Sequence, residues 1–478
     1  DNNAAGSLTT SAAGTLTVAT GNILIVASDV SLAGAVAGSG TLTLQPSTVA
    51  ASVGVGGGTG SFNVSDAELL LLADGYSLVT IGDAAAGTGA VDIDQSTFVD
   101  AISIAGGTIV VEQLTASDTV DNGDGTGLQN VTLTARTGSI TDGENASATD
   151  VTGALVTLNA EAGVIGEATG VGNEALELAA DTLVTDTTNG SNNGNQFLTE
   201  ADNLTWNSSS AGTGTITITS GIFNVGDGEI ITTSSVLVNG GGTLGGTGTV
   251  TGTVTAASGS SVAPGFSPGI LNTGNFTLNS GSTLSIEIDG DQGAGVNPNG
   301  HDQVNVTGTV DVTGATLSVD ISDLMSGEVT ATDEFIIVSN DDTDAVTGTF
   351  NGLAENAIVA TNLGGTGLVA IIHYGGGDGN DISLEVVGAI FQIVGNDAVY
   401  TDLAGLVNTL TLTRITDTGK NYVQISDSST VLVAGNQTGV EQVSVNSVRI
   451  DVAQFSGDIL VNTNAANDSL TVDYSGSG

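Results

Sequence analysis

The chain is dominated by short segments in which apolar residues alternate with threonine, serine or asparagine. Clear examples are residues 15–18 (TLTV), 41–44 (TLTL), 215–219 (TITIT) and 283–288 (TLSIEI). Alternation with a period of two, rich in β-branched residues and bounded by Gly, Asn or Asp, predicts short β-strands. The one helix-like stretch, residues 67–73 (AELLLLA), is short enough for a single turn or a buried strand.

Several strand pairs recur at an interval of 20 residues. The pairs are Leu42 with Phe62, Val156 with Leu176, Ile216 with Val236, and Leu284 with Val304. A repeat of this length with Gly and Asn turns is typical of solenoids, in which each coil covers the core of the next. The strands of a sandwich recur less regularly, at about 8–12 residues. The sequence therefore predicts an all-β fold built as a β-solenoid.

The charge balance excludes several classes of function. The chain carries 52 acidic residues against four basic ones, which gives a formal charge of −48. Proteins that bind nucleic acid or anionic lipid present clusters of Lys and Arg to the phosphates, so we expect no nucleic-acid partner.

Hydrophobic residues make up 39 % of the chain, enough for a sizeable core. No apolar run approaches the roughly 20 residues of a membrane span, and the absence of cysteine excludes disulfides and thiolate sites.

Glycine-bounded apolar repeats in the first half carry a family resemblance. They are residues 42–46 (LTLQP), 74–82 (DGYSLVTIG), 87–89 (GTG), 138–143 (GSITDG) and 158–166 (LNAEAGVIG). Together they resemble the filamentous haemagglutinin-type secreted adhesins over about residues 1–220.

A second resemblance follows in the middle of the chain. It rests on residues 242–250 (GTLGGTGTV), 263–269 (APGFSPG) and 302–308 (DQVNVTG). This pattern is similar to autotransporter-associated β-strand repeats and reaches about residue 385. Both resemblances imply a right-handed parallel β-helix outside a bacterial cell.

The predicted organisation has three parts. A haemagglutinin-like solenoid covers residues 1–240, and an autotransporter-associated repeat region continues it over 241–386. A smaller C-terminal β module covers 387–478, where glycine becomes rarer and three of the four basic residues fall. The chain begins with Asp1 rather than Met, which is typical of a processed, exported protein, so we expect an extracellular or cell-surface location.

Motifs that carry catalysis in other proteins are interpreted here as turns. Residues 265–269 (GFSPG) fit the G-x-S-x-G elbow, but Pro268 with Gly269 predicts a turn. Residues 240–245 (GGGTLG) fit G-x-G-x-x-G, yet strands follow where that motif needs a helix. His301 and His373 have no partner at zinc-ligand spacing, and a surface or capping role is expected for His301. We assign no catalytic or cofactor-binding residue and expect no enzyme; a polysaccharide-acting β-helix hydrolase using two carboxylates is a distant alternative.

Calcium is the cofactor that the sequence predicts. Residues 376–384 (GGDGNDISL) resemble the glycine-rich nonapeptide of calcium-binding β-rolls, although Ser383 stands where that pattern has its large apolar residue. Several other loops are also rich in carboxylate and carbonyl oxygens, which hard cations prefer. An ordinary turn is the alternative for each loop. The predicted ligands are Asp378, Asp381, Asp121, Asp124, Asp289, Asp291, Asp341, Asp342 and Asp344.

The sequence at both chain ends bears on function. Residues 16–26 and 470–474 are strand-like, whereas a solitary solenoid normally carries polar, atypical caps. We therefore predict a secreted structural protomer that joins copies of itself head to tail through open strand edges, forming a filament or matrix. Arg414, Lys420 and Arg449 either meet an acidic surface of the neighbour or are ordinary surface charges. The alternative is a rod-shaped adhesin that attaches cells and binds cell-surface glycans.

Overall fold

A computed structural model describes residues 7–11, 14–119, 127–143, 148–168, 174–189, 192–331, 333–341, 343–366, 368–403, 405–435, 437–444, 446–464 and 467–473. The fold is all-β, as predicted, with 54 % of residues in strands and 2 % in helices. The chain divides into two compact units. The first contains Asp1–Val262 with Asn272–Gly274, and the second contains Ala263–Leu271 with Asn275–Gly478. The bounds of the three predicted segments stay predictions.

Short strands separated by turns build the first unit. Their bounds are Ser7–Thr9, Leu16–Val18, Ile23–Ala27, Asp29–Ser31, Val36–Gly38, Thr41–Pro46, Val53–Val55, Phe62–Val64, Leu78–Gly82, Val91–Ile93, Ser96–Phe98, Ile102–Gly106, Ile109–Val111, Leu114–Asp118, Gly127–Leu128, Val131–Ala135, Ile140–Asp142, Val151–Ala160, Leu176–Asp186, Gln196–Trp206, Ser209–Ser210, Thr215–Val225, Ile230–Thr232, Ser235–Val238, Gly242–Gly246, Thr249–Val250 and Thr253–Ala256. Two further strands, Ser261–Pro264 and Ile270–Thr273, cross the unit boundaries in the sequence.

Neighbouring strands of the first unit pair mainly in parallel. Ile23–Ala27 pairs with Thr41–Pro46, which pairs with Leu78–Gly82. The series continues through Ile102–Gly106 to Val131–Ala135. Apolar residues thereby stack on apolar residues from one coil to the next. The predicted parallel, solenoid-like architecture is confirmed.

The interval between stacked residues varies from coil to coil. Of the four pairs that recur at 20 residues, Ile216 and Val236 are register partners. The other three pairs are not partners, since Leu42 pairs with Val79, Val156 with Leu183, and Leu284 with Leu317. Backbone hydrogen bonds fix the register of two parallel strands but set no limit on the loop that joins them. A fixed sequence interval therefore does not identify the partners.

The longest insertion in the first coils contains the predicted helical turn. Asp66–Leu69 forms one helical turn that begins at Ser65, with a capping box between Ser65 and Glu68. The Glu68 carboxylate also accepts the Leu32 N–H at 2.8 Å, which ties the turn to an earlier coil. None of the helices in the described part of the chain has the length and apolarity needed to cross a membrane.

The core lies between the strands of each coil. Inward-facing residues such as Leu42, Ile81 and Ile104 are completely buried, and each contributes roughly 1.5–3 kcal/mol to folding. Trp206, the only tryptophan, packs edge-on against Phe223 with ring centroids 5.6 Å apart. This stack of apolar layers is what holds the first unit together.

Gly246 illustrates why glycine is frequent in the coils. Its φ of 93° lies in the left-handed region. A Cβ at this position would stand 2.1 Å from the carbonyl oxygen of Val225, its register partner on the neighbouring strand. Both the backbone conformation and the close approach of two strands therefore require glycine.

The second unit begins with parallel coils and continues with antiparallel strands. Thr283–Glu287 pairs in parallel with Thr316–Asp320, and Gln303–Val306 with Glu334–Asn340. On its other side Glu334–Asn340 pairs antiparallel with Asp381–Val387. This strand therefore has a parallel neighbour on one side and an antiparallel neighbour on the other.

The strands of the second unit are short in the coils and longer beyond them. Their bounds are Phe276–Leu278, Thr283–Glu287, Gln303–Val306, Val310–Asp311, Thr316–Asp320, Glu334–Asn340, Ile358–Thr361, Val369–Gly376, Asp381–Val387, Ala389–Val394, Asp397–Asp402, Thr409–Asp417, Lys420–Asp427, Leu432–Ala434, Val440–Ser444, Ser447–Asp451, Ile459–Asn462 and Ser469–Asp473, with a 3₁₀ turn at Leu363–Gly365.

The strands after Val387 form one sheet of four and one of five. Both sheets contribute to one core, in which Phe391, Tyr400, Ile425 and Val448 are buried together. Most pairings in these sheets are antiparallel, unlike those of the coils.

Candidate functional site

Three carboxylates meet where two neighbouring coils of the second unit leave their strands. One carboxylate oxygen from each of Glu287, Asp289 and Asp323 lies within 4.8 Å of the others. We call these three residues the acidic corner. They meet because Thr283–Glu287 and Thr316–Asp320 are paired in parallel, so the chain leaves both strands at the same edge of the sheet.

Asp289 is the central residue of the acidic corner. Its side chain is 8 % exposed, and its Oδ1 atom is buried without a hydrogen-bond partner. Burial, together with the negative charges of Glu287 and Asp323, raises the pKa of Asp289 to about 6. A buried carboxylate without a donor is unfavourable, so this oxygen favours a bound cation or proton.

Two further contacts hold the backbone and side chain of Glu287. The Asp302 carboxylate, itself buried, accepts the Gly269 N–H at 2.8 Å and the Glu287 N–H at 2.9 Å. Burial raises the pKa of Asp302 to about 7. The Ser267 hydroxyl donates to Glu287 Oε2 at 2.5 Å. Asp302 and Ser267 therefore position the corner rather than form it.

The chemistry of the corner suits a hard divalent cation. Calcium takes six to eight oxygen ligands, with carboxylates among them. Asp320 and Glu328 add negative charge that acts on Asp289. A divalent cation held by Glu287, Asp289 and Asp323 would therefore relieve a local excess of negative charge.

The predicted calcium ligands lie in several different places. Asp289 belongs to the acidic corner, whereas Asp291 is exposed two residues further on. Asp378 and Asp381 lie in the turn of the antiparallel hairpin Val369–Gly376 and Asp381–Val387, which is not the parallel arrangement of a β-roll. Asp341 and Asp344 follow the strand Glu334–Asn340. Asp121, Asp124 and Asp342 lie outside the described residues.

Sequence reasoning missed Glu287 and Asp323. The signal that identifies them is the register of the coils, since Glu287 pairs with Asp320 across 33 residues. No sequence motif marks that interval, because the chain between the two strands forms two further strands, Gln303–Val306 and Val310–Asp311, with their connecting loops.

The two histidines lie in different surroundings. His301 is buried, so the surface position predicted for it is wrong, whereas the alternative capping role stays a prediction. Its Nε2 lies 3.2 Å from the Ile336 carbonyl oxygen, and burial lowers its pKa to about 4. His373 lies between two carboxylates, with Nδ1 2.7 Å from Glu355 and Nε2 2.9 Å from Glu385. Although burial alone lowers the pKa of His373, these hydrogen bonds raise it to about 9.

The two catalytic look-alike motifs are turns and strands. After Ser267 the chain continues into the strand Ile270–Thr273, and after Gly241 into the strand Gly242–Gly246. Neither motif leads into the helix that its chemistry requires.

Buried carboxyls also occur in the first unit. Asp150 is completely buried, and its Oδ2 accepts the Glu177 N–H at 2.8 Å. Burial raises the pKa of both Asp150 and Glu177, and burial raises the pKa of Glu200 to about 7. Burial therefore shifts all three carboxyl groups towards the protonated form.

No protein-family model, curated protein or solved structure matches this chain. The two family resemblances therefore stay predictions, and the functional argument rests on the chain's own geometry.

Two strand edges are unpaired within the described residues. Ile23–Ala27 pairs only with Thr41–Pro46, and its Leu24 side chain is 65 % exposed. In the second strand, Ser469–Asp473, residues Ser469–Val472 pair only with Thr409–Asp417 among the described strands, and their side chains are exposed. These two strands, named here the amino edge and the carboxyl edge, are the two predicted strand-like ends. Tyr474, which the prediction included, lies outside the described residues.

Two of the three basic residues of the C-terminal region are paired internally. Arg449 contacts Asp417 and Glu441 at 2.9 and 2.7 Å, and its guanidinium lies 4.2 Å from the ring centroid of Tyr422. Lys420 Nζ lies 3.2 Å from Asp451 Oδ2. These contacts favour the interpretation of both as ordinary charges of this chain.

Proposed function

We propose that this chain is a structural protein that self-associates through free strand edges as a protomer of an extracellular filament or matrix. The observation that carries the proposal is the amino edge, Ile23–Ala27. Its sequence, ILIVA, is apolar and uncharged, and it is paired on one side only within the described residues. Proteins usually protect such an edge with lysine, proline or a covering loop. An unprotected apolar edge is a template for pairing with another chain.

A second copy of this chain is the partner that we propose. The carboxyl edge also pairs on one side only over Ser469–Val472 within the described residues, and it exposes Leu470 and Val472 on the same face, 48 % and 43 % exposed. A chain with two different free edges can join its copies by a heterologous contact, which does not close and grows into a filament. Strand addition of this kind takes its affinity from main-chain hydrogen bonds and its specificity from alternate side chains.

Divalent cations are part of this proposal. Copies with a formal charge of −48 repel one another. Calcium bound at the acidic corner would lower that charge and so favour association. We therefore propose calcium as the cofactor, with assembly that depends on it.

The proposal also includes right-handed coils, a separate C-terminal module and an extracellular location. Connections between parallel strands of one sheet are right-handed in nearly all proteins, which supports right-handed coils. The common core of the two sheets after Val387 supports a separate C-terminal module. An extracellular location rests on the two family resemblances.

The test compares assembly of the unmodified chain and of an edge variant. With excess calcium, we expect sedimentation velocity to show large species and negative-stain images to show filaments. Leu24→Lys places a charge on the amino edge and should leave the protein folded and monomeric, because a lysine opposes pairing at an edge. Filaments of Leu24→Lys equal to those of the parent chain would overturn the proposal. Persistent monomers of the parent chain would favour the adhesin.

The matched control is Val110→Lys. Val110 also points outward from an apolar strand of the first unit, at 36 % exposure. Its strand, Ile109–Val111, is paired on both sides, with Val91–Ile93 and Ile140–Asp142. This variant carries the same added charge away from a free edge and should assemble like the parent chain.

A further inference from the structure

Two loops that the sequence presents as separate calcium candidates meet in the second unit. One is the hairpin turn that ends at Asp381, and the other begins at Asn340. The backbone N–H of Asn340 donates to Asp381 Oδ1 at 2.8 Å. The side chain of Asn380 donates to the carbonyl oxygen of Asp341 at 3.0 Å. The two loops are therefore joined by direct hydrogen bonds.

The carboxamides of Asn340 and Asn380 are arranged around one carbonyl group. Asn340 Nδ2 donates to the Asp344 carbonyl oxygen at 2.7 Å, and Asn380 Nδ2 lies 3.3 Å from the same oxygen. In each carboxamide, Oδ1 is bonded to the carbon that carries this Nδ2. Both carboxamide groups therefore lie beside the Asp344 backbone carbonyl.

The oxygens of this arrangement lack donors. Asn340 and Asn380 are 4 % and 6 % exposed, and the Oδ1 atoms of both are buried without a hydrogen-bond partner. Asp344 Oδ2 is likewise buried without a partner. Buried acceptors are normally satisfied, so three in one loop pair point to a missing positive group.

The negative charge around the two loops also points to a missing positive group. The side chains that act electrostatically on the buried Asp381 carboxylate are Asp378 and Glu334, and both are acidic. Amide and carboxylate oxygens are the ligands that calcium accepts in flexible, loop-built sites. A water molecule would supply two donors but would leave the negative charge in place.

We infer a second calcium site where these two loops meet, with Asn340 Oδ1, Asn380 Oδ1 and Asp344 Oδ2 as ligands. This site shares no residue with the acidic corner. It also joins the strand Glu334–Asn340, which pairs in parallel with the coil strand Gln303–Val306, to its antiparallel neighbour Asp381–Val387. Calcium there would fasten the carboxyl side of the coils, independently of any assembly.

Calorimetric titration of calcium into the chelator-treated full chain tests this inference. At physiological ionic strength, where weak surface binding is screened, Asp344→Asn should reduce the number of calcium ions bound by one. Asp289→Asn should remove a different ion, and the double variant should lose both. Asp291→Asn is the matched control, since Asp291 is an exposed aspartate outside both sites and should bind calcium like the parent chain. Unchanged stoichiometry and affinity in Asp344→Asn would overturn the inference.

A crystallographic measurement makes the test independent of how the variant folds. Crystals of the unmodified chain soaked in strontium, a calcium substitute with a usable anomalous signal, should show an anomalous peak between Asn340, Asn380 and Asp344. A map with no peak there would rule the site out, whatever it shows at the acidic corner. Binding at this site without filament formation would leave the inference intact and count against the proposed assembly alone.

Discussion

Glu287 and Asp320 are direct register partners on adjacent parallel strands, so two acidic residues end neighbouring strands side by side. Asp289 and Asp323 follow them in their loops. Repulsion among these groups destabilises the fold when all are ionised, and a cation or proton relieves it. The stability of the second unit should therefore depend on both calcium and pH.

Asp289→Asn should abolish the calcium dependence that comes from the acidic corner. In the parent chain, calcium at about 100 times its Kd should add about 2.7 kcal/mol of stability for one site. The pKa of Asp289 is raised to about 6, so the stability due to its neutral form is present below about pH 4 and lost as the pH rises through 6. At pH 7.5 in chelator the variant should therefore be at least as stable as the parent chain. Thermal unfolding with calcium and with chelator measures both effects.

The control for this substitution is Asp291→Asn, which removes an exposed aspartate of the same region. Its calcium-induced stabilisation should equal that of the parent chain. If Asp289→Asn keeps the full calcium response, the acidic corner does not bind the ion.

Without calcium, the protein should be more stable at pH 5 than at pH 8. Burial raises the pKa of Glu200 and of Asp302 to about 7, and the pKa values of Asp150 and Glu177 are raised as well. Stability from the neutral forms is fully present below about pH 4 and is lost as the pH rises through these values. We expect a difference on the order of 1–3 kcal/mol by urea unfolding in chelator. Glu200→Gln should flatten the profile between about pH 4.5 and 7, and stability that increases towards pH 8 would contradict this prediction.

Gly246→Ala should destabilise the first unit by about 3 kcal/mol or more. The substitution combines a left-handed φ with a clash against the Val225 carbonyl oxygen of the next strand. Gly228→Ala is the control, because Gly228 has a φ of 71° but nothing within 4 Å of the added Cβ. It should lose only about 1 kcal/mol, the strain of the backbone. Equal losses in chemical unfolding would mean that close strand approach is not what requires glycine at 246.

Arg449→Ala should destabilise the C-terminal sheets by about 1–3 kcal/mol, while Arg414→Ala should change stability by about 0.5 kcal/mol or less. Arg449 holds Asp417 and Glu441 and lies over Tyr422, whereas Arg414 is exposed. High salt should reduce the difference between the variants, since it weakens ion pairs. If the two variants had similar stability and Arg449→Ala no longer assembled, the result would instead support a contact of Arg449 with a second copy of the chain.

The fold class could be predicted from the sequence because burial follows the two-residue period of a strand. Residues 41–44 and 283–288 alternate in the sequence and in burial alike. Register could not be predicted, because it depends on pairing between strands that loops of unequal length separate. Leu42 and Val79 are partners only because the chain between them forms its own short strands and a helical turn.

The candidate sites could be predicted only in part for the same reason. Asp289, Asp341, Asp344, Asp378 and Asp381 belong to loops whose composition predicts cation ligands. Their grouping depends on which coils are neighbours, so Asp323 joins Asp289 across a distance in sequence that no motif marks. His301 shows the opposite error, since its polar sequence neighbours predict exposure while the surrounding strands bury it beside Phe335.

The strand Glu334–Asn340 has a parallel neighbour on one side and an antiparallel neighbour on the other. The amino edge, by contrast, is bordered by a parallel neighbour alone. In the proposed assembly the amino edge would lie at one tip of the filament and the carboxyl edge at the other, so the filament would be polar, with chemically distinct tips. Subunits would add to the two tips at unequal rates, and short seeds would elongate predominantly from one of them.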